Sequence, residues 1–214
     1  MKHHGGAVAL IVALASPLMA QPAPSDPLTA EETQRLVRVG TEFAQSRDGL
    51  GRANFALVGT EVVDHKPDRT ASGRDITPEQ AGRYGSVLFY RYDRNEGVRV
   101  LVDLVRNAGV EVTPIPARSM PIGREEVERA SRLALADASV ARVLGDVAGF
   151  RVTEPGANDE NSVEGLRLVG ATRQDPCSTH RCVELFFRRG GYYIAGQRVV
   201  VDLNADTVRV ISSR

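Results

Sequence analysis

The chain has 214 residues, enough for one or two domains. Its 27 basic residues balance its 27 acidic ones, so it lacks the basic excess of a nucleic-acid-binding module. Trp is absent and aromatic residues make up 5% of the chain, too few for a base-stacking or sugar-stacking platform.

The chain opens on a short basic start, Met1-Lys2-His3-His4, followed by an apolar run from Ala7 to Leu14. Pro17-Leu18-Met19-Ala20 then offers a small residue before a cut, so residues 1–20 read as a secretory signal peptide. A retained anchor is the alternative, but the run is short for a hydrocarbon core of ~30 Å. No cysteine follows the run to carry a lipid. The expected location is periplasmic or secreted. Residues 21–28, Gln-Pro-Ala-Pro-Ser-Asp-Pro-Leu, form a Pro-rich extended linker. No later apolar stretch is long enough to span a membrane.

Thr29 stands three positions before Glu32, the spacing of a capping box, in which each side chain satisfies an orphan backbone N–H of the other residue. Leu36, Val37, Gly40, Phe43 and Ala44 then recur at helical spacing, and Ser46 to Gly51 ends the helix. Phe55 to Val63 is apolar and β-branched and predicts a strand. Asp64 to Gly82 is a polar excursion. Ser86 to Tyr92, Val98 to Val105 and Val110 to Ile115 read as a meander, with Asp93 to Gly97 as a hairpin turn where Asn and Gly supply positive φ.

The cycle then restarts. Pro121-Ile122-Gly123-Arg124-Glu125-Glu126 echoes Pro27-Leu28-Thr29-Ala30-Glu31-Glu32, and Val127, Ala130, Leu133 and Ala134 mark a second helix. Ser139 to Leu144 reads as another helical turn or a short helix. Phe150-Arg151-Val152, Val163 to Val169, Val183 to Arg188, Gln197 to Leu203 and Thr207 to Ile211 read as strands. The strand Arg99-Val100-Leu101-Val102-Asp103-Leu104 returns as Arg198-Val199-Val200-Val201-Asp202-Leu203, each followed by a turn and another β-rich run. The repeat predicts two tandem α+β units, 29–117 and 118–214. Each is one helix packed on an antiparallel sheet of about four strands.

The order Asp26-Pro27-Leu28-Thr29-x-Glu31-Glu32, a meander closing in Val-Asp-Leu, and a linker with Pro114, Pro116 and Pro121 resembles the copper amine oxidases. Val183 to Arg188, Val199 to Asn204 and Val208 to Val210 continue the likeness, over roughly residues 26–211. It is to the second and third N-terminal domains of that family, small cystatin-like α+β units. The resemblance implies two such units without the catalytic domain. That domain carries a Tyr converted to topaquinone, three copper-binding His and an Asp base. The signature Asn-Tyr-Asp/Glu does not occur here: none of Tyr84, Tyr90, Tyr92, Tyr192 and Tyr193 follows Asn. After the leader only His65 and His180 remain, short of a three-His copper site. No catalytic residue carries over and no cofactor is expected.

Cys177-Ser178-Thr179-His180-Arg181-Cys182 is the one chemically loaded stretch. In an oxidising compartment its cysteines pair as a disulfide. The alternatives are free thiols, or a copper or zinc site of Cys177, His180 and Cys182 with no evident fourth ligand. Arg188, Arg189, Tyr192 and Tyr193 form a possible binding loop. Asp103 and Asp202 are either partners of Arg99 and Arg198 on one sheet face or acceptors for turn amides at the strand ends. His65 reads as a solvated turn histidine. The expected function is an exported, non-catalytic protein that binds a periplasmic protein or a small ligand. The alternative is a metal-binding or redox accessory protein using the Cys177–His180–Cys182 loop. A peptidase inhibitor is a third reading, but the Gln-x-Val-x-Gly loop such inhibitors use is absent.

Overall fold

In the computed structural model, residues 23, 26–48, 55–63, 82–153, 159–168, 172 and 174–212 are described. The signal peptide, His65 and most of the polar excursion lie outside them. The architecture is α+β. The first helix, α1, spans Ala30–Asp48 and is started by the capping box. Thr29 Oγ1 accepts from Glu32 N at 3.1 Å, and Glu32 Oε2 accepts from Thr29 N at 2.9 Å. Strands β1 (Phe55–Val63), β2 (Tyr84–Arg91), β3 (Glu96–Asp103) and β4 (Ala108–Pro116) follow as an antiparallel meander in the order 1-2-3-4.

Alternation divides that sheet. Val87, Phe89, Val98, Val100 and Val102 face α1, where Leu36, Val39 and Ala44 close the core. The buried helix stripe runs through Val39 rather than the half-buried Val37. Leu88 and Tyr90 face the other way and meet Met120. The β2–β3 turn takes its positive φ at Asn95 alone, at 48°. Gly97 instead sits inside β3, where an added Cβ would lie 2.3 Å from Met120 Cγ and Sδ. Its missing side chain lets the linker reach the sheet.

The second half repeats the plan with additions. A 3₁₀ turn, Ala117–Ser119, leads into α2 (Arg124–Ala136) and α3 (Ala138–Leu144). Strands β5 (Arg151–Val152), β6 (Asn161–Leu168), β7 (Cys182–Arg189), β8 (Tyr192–Tyr193), β9 (Gln197–Asp202) and β10 (Thr207–Ser212) form one sheet in the order 10-9-7-6-5, with β8 paired to β7. The antiparallel set β6, β7, β9 and β10 corresponds to the four strands of the first sheet. The short β5, within the run Phe150-Arg151-Val152 that reads as β in the sequence, joins the sheet edge as a parallel strand. Val163, Val183, Leu185, Phe187, Val199 and Val201 pack against Val127, Ala130 and Ala134 of α2 and Val140 and Leu144 of α3.

The repeated Val-Asp-Leu has one structural meaning in both halves. Asp103 pairs with Tyr84 and Asp202 with Cys182 across the equivalent strand pairs. Asp103 Oδ1 accepts from Val105 N and Arg106 N, both at 2.9 Å. Asp202 Oδ1 accepts from Asn204 N at 2.9 Å and Ala205 N at 3.2 Å. Both carboxylates are buried, and each following turn ends on a positive-φ residue, Asn107 at 53° and Asp206 at 52°. The aspartates therefore hold turn amides. Arg99 and Arg198 share their face but do not pair with them, because Asp103 and Asp202 are turned into the hairpins.

Candidate functional site

Three places gather chemistry: the disulfide corner, the β7–β8 hairpin and the seam between the two halves. At the corner, Cys177 and Cys182 are joined, with Cα atoms 5.4 Å apart. Pro176–Ser178 forms a 3₁₀ turn whose Cys177 N donates to Asp175 Oδ1 at 3.0 Å. Arg209 Nη2 donates to Asp175 Oδ1 and to Cys177 Sγ, each at 3.1 Å. The cysteines are 3% and 0% exposed and pack with Val200 and Leu168 on the sheet face opposite α2. The loop thus covers apolar surface that would otherwise meet water.

Beside it, His180 Nδ1 lies 2.6 Å from Asp202 Oδ2. The imidazole is 40% exposed while the carboxylate is 4% exposed. A buried carboxylate that holds one ring nitrogen fixes the ring orientation and leaves the other nitrogen for solvent or a ligand. The sulfurs are spent in their bond, so in the oxidised chain a metal would find no thiolate here. Among the described residues no three His, Cys, Asp or Glu side chains converge as a metal-binding group.

The four hairpin residues do not act as one group. Arg188 stacks 5.2 Å from the Tyr193 ring centroid and donates to Gly191 O at 3.0 Å. Glu164 lies 3.7 Å from the Arg188 guanidinium and accepts from Tyr193 Oη at 3.1 Å. Arg189 turns away, over the Phe150 ring and onto Asp146 O. Tyr192 is 82% exposed. The hairpin therefore presents a self-paired Arg188–Glu164–Tyr193 set with one projecting ring beside it.

The seam was not legible as a site. Arg181, fully buried, donates from Nε to Glu126 Oε1 at 2.9 Å and from Nη2 to Oε2 at 2.7 Å. It also donates to Met120 O at 3.2 Å and to Pro121 O, and its guanidinium lies 4.3 Å from the Tyr90 ring centroid. Tyr92 Oη donates to Glu126 Oε1 at 3.0 Å. Residues of both halves thus meet on one ion pair. Beside it opens a cleft of about 250 Å³ lined by Phe55, Tyr92, Glu125, Glu126, Arg129 and Arg132 among others.

Burial, aided by Glu126, holds the Tyr92 phenol well above its ordinary value, and burial pushes Tyr90 up to about 12. Neither phenol supplies a base or nucleophile at neutral pH. The cleft offers two rings, two guanidinium groups and the carboxyls of Glu125 and Glu126 to whatever enters it. A signal for this cluster did exist in the sequence. Arg83 and Arg181 each stand one residue before a strand, and Glu32 and Glu126 each sit at the third position of a helix. In the first half those residues form the same pair, Arg83 Nε to Glu32 Oε1 at 2.7 Å.

The chain is similar to a copper-containing benzylamine oxidase from Hansenula polymorpha, with 11% identity and a TM-score of 0.53. The match covers 89% of this chain and 30% of that chain. At that identity the likeness is one of fold alone, and this chain spans less than a third of that chain's length. No protein-family model and no curated protein sequence matches. No helix among the described residues is long and apolar enough to cross a membrane.

Proposed function

We propose that this is an exported, non-catalytic binding protein. Its two cystatin-like units, 29–117 and 118–214, follow a signal peptide over 1–20 and a linker over 21–28. On this reading the units correspond to the second and third N-terminal domains of copper amine oxidases. The observation that supports it best is the extent of the fold match: nearly all of this chain lies on under a third of the oxidase. The residues present point the same way, since no Tyr follows Asn and the His count beyond the leader is two. The function is then to hold a periplasmic protein or a small ligand.

The test has two arms. The mature protein recovered from the periplasm or medium should begin at Gln21 by N-terminal sequencing; recovery of the uncut chain in the membrane overturns export. Purified protein incubated with copper and primary amines should release no peroxide. Copper-dependent peroxide release would overturn the non-catalytic assignment.

A second reading is favoured by one observation, the exposed His180 ring held on buried Asp202 beside the cysteines. In it, reduction frees Cys177 and Cys182 to join His180 around copper or zinc. Against it, an exchange partner cannot reach sulfurs that are 3% and 0% exposed. Metal content of the protein after reduction and anaerobic repurification decides: no bound copper or zinc removes this reading.

A further inference from the structure

The cleft at the seam has two unlike walls. One is a face of α2, on which Glu125, Arg129 and Arg132 recur at helical spacing. The other comes from the first half, where Phe55 and Ala56 open β1 and Tyr92 follows β2. One wall is therefore charged and the other carries rings. The volume of about 250 Å³ lies below the ~300–1,000 Å³ of pockets that take drug-sized molecules, so the cleft suits a small ligand rather than a folded partner.

Most charges around the cleft are already answered. Glu126 is spent on Arg181, Gly123 N and Tyr92 Oη. Arg124 bonds Glu128 at 3.0 Å. Arg129 bonds Asp206, and its guanidinium lies 5.5 Å from the Tyr92 ring centroid. The Tyr92 ring is thus held from its hydroxyl and from its face before anything binds, which lowers the cost of ordering it. Two charged side chains of the lining are left over. Among the described residues, those of Glu125 and Arg132 have no hydrogen-bond or ion-pair partner. They stand two helical turns apart, about 10.5 Å along the axis, beyond the spacing at which helix neighbours pair with each other.

We propose that the cleft binds a short peptide with both ends free, about three residues long, with an aromatic or large apolar side chain at its centre. An extended segment of three residues spans at most about 10 Å, which matches the separation of the two unanswered charges. Laid along α2, its ammonium meets Glu125, its carboxylate meets Arg132, and its central side chain lies on Phe55 and Tyr92. A simple anion drawn to Arg132 leaves Glu125 unanswered, and a simple cation drawn to Glu125 leaves Arg132 unanswered; a dipolar chain satisfies both. This names the small ligand of the binding reading above and rests on it. The two fail separately: peroxide release or an uncut chain overturns that reading, whereas the titrations below test the cleft alone.

The test is an NMR titration of the purified protein with the tripeptide Gly-Phe-Gly. Saturable shifts are expected at Phe55, Tyr92, Glu125 and Arg132. Acetylating the peptide's amine or amidating its carboxylate should each weaken binding roughly fivefold, the worth of an exposed ion pair. Glu125→Gln should make the protein indifferent to the acetyl group, and Arg132→Gln to the amide, each keeping the other discrimination. Both residues are exposed, so the melting curve should not change, and the capped peptides put the same question to the unaltered protein. Gly-Gly-Gly, which brings no ring, should bind more weakly than Gly-Phe-Gly. The proposal is overturned by no saturable binding, by shifts that map elsewhere, or by equal affinity for the capped peptides or for Gly-Gly-Gly. A variant that keeps the discrimination it should lose overturns it too. So does sensitivity to the amide alone, which would mark a site for a protein's C-terminus.

Discussion

The same ion pair is built twice, and its two settings differ in what they fasten. In the first half, Glu32 and Arg83 have side chains 9% and 7% exposed, and Arg83 donates to the carbonyls of Ala23 and Pro27. That clamp ties the segment ahead of α1 to its own sheet. In the second half, Glu126 and Arg181 are 1% and 0% exposed, and Arg181 reaches the carbonyls of Met120 and Pro121. Those carbonyls belong to the linker, whose Met120 side chain is already seated on the first sheet. The second clamp therefore fixes one half of the molecule to the other. The same pair that starts a helix in the first half serves as a joint in the second.

Breaking the joint should have the largest effect. Arg181→Met leaves Glu126 buried with only Tyr92 and Gly123 N to answer its charge, at a cost of about 3–5 kcal/mol. Denaturant unfolding should also lose cooperativity, with the halves melting apart; a single transition of unchanged slope would refute the joint. Arg83→Met should cost less, about 2–3 kcal/mol, and leave the transition single, because it frees a terminal segment rather than a half. Equal costs for the two variants would mean that neither the deeper burial of the second pair nor what it fastens adds to its worth.

The contrast between the clamps also marks how far the residues alone could be read. Hydrophobic alternation and the repeated Val-Asp-Leu place both sheets, and the Thr29–Glu32 spacing places α1 to within a residue, because local geometry decides these features. The disulfide is equally legible from two cysteines in one short loop. The clamp in the second half is not. Gly123 replaces the capping Thr29, so half of the capping signal is missing, and a buried Arg181 inside a Cys-rich loop reads as loop chemistry. Its partners Tyr90, Tyr92 and Met120 come from the other half, and no local pattern encodes that meeting. β8 escaped for a related reason: the two residues Tyr192 and Tyr193 are too few to show a period.

The corner and the first clamp give intermediate effects. Cys177→Ser with Cys182→Ser opens a short loop, for which the chain-entropy account gives about 2 kcal/mol. The loss should show as a lower melting temperature, with faster exchange confined to the residues around Val200 and Leu168. Unchanged stability would mean that the turn holds itself by Asp175 and Arg209. Acid separates the first clamp. Its hydrogen bond to Arg83 leads the causes that bring the Glu32 carboxyl down from 4.5 to about 2, against a smaller opposing effect of burial. A lowered carboxyl stabilises the fold fully above its unfolded value, and that stability is lost as pH falls from about 4.5 towards 2. Glu32→Gln should flatten the stability–pH curve in that window and leave its shape above pH 5 unchanged. A curve with the same slope in both proteins would assign the acid lability elsewhere, for instance to Asp93 and Asp175, whose carboxyls are also held low by arginine or amide partners.

The smallest effect sharpens the comparison most, because it tests equivalent residues on the two open faces. Arg198 makes a two-armed bond to Glu184, at 2.6 and 2.8 Å, across neighbouring strands. Arg99 occupies the same place in the first repeat, but the residue corresponding to Glu184 is Ser86, which bonds Glu61 instead. The Arg198 side chain is 45% exposed, so solvent screens the pair and its worth is about 0.5 kcal/mol. Arg198→Ala should therefore cost about that much in dilute buffer, and the cost should fade at high salt as screening shortens the reach of the charges. Arg99→Ala should change stability by less, with no salt dependence, since no carboxylate answers it among the described residues. If both substitutions behave alike, the arginines are interchangeable surface charges. If only Arg198 responds to salt, the two equivalent strands differ by one ion pair on an otherwise shared pattern.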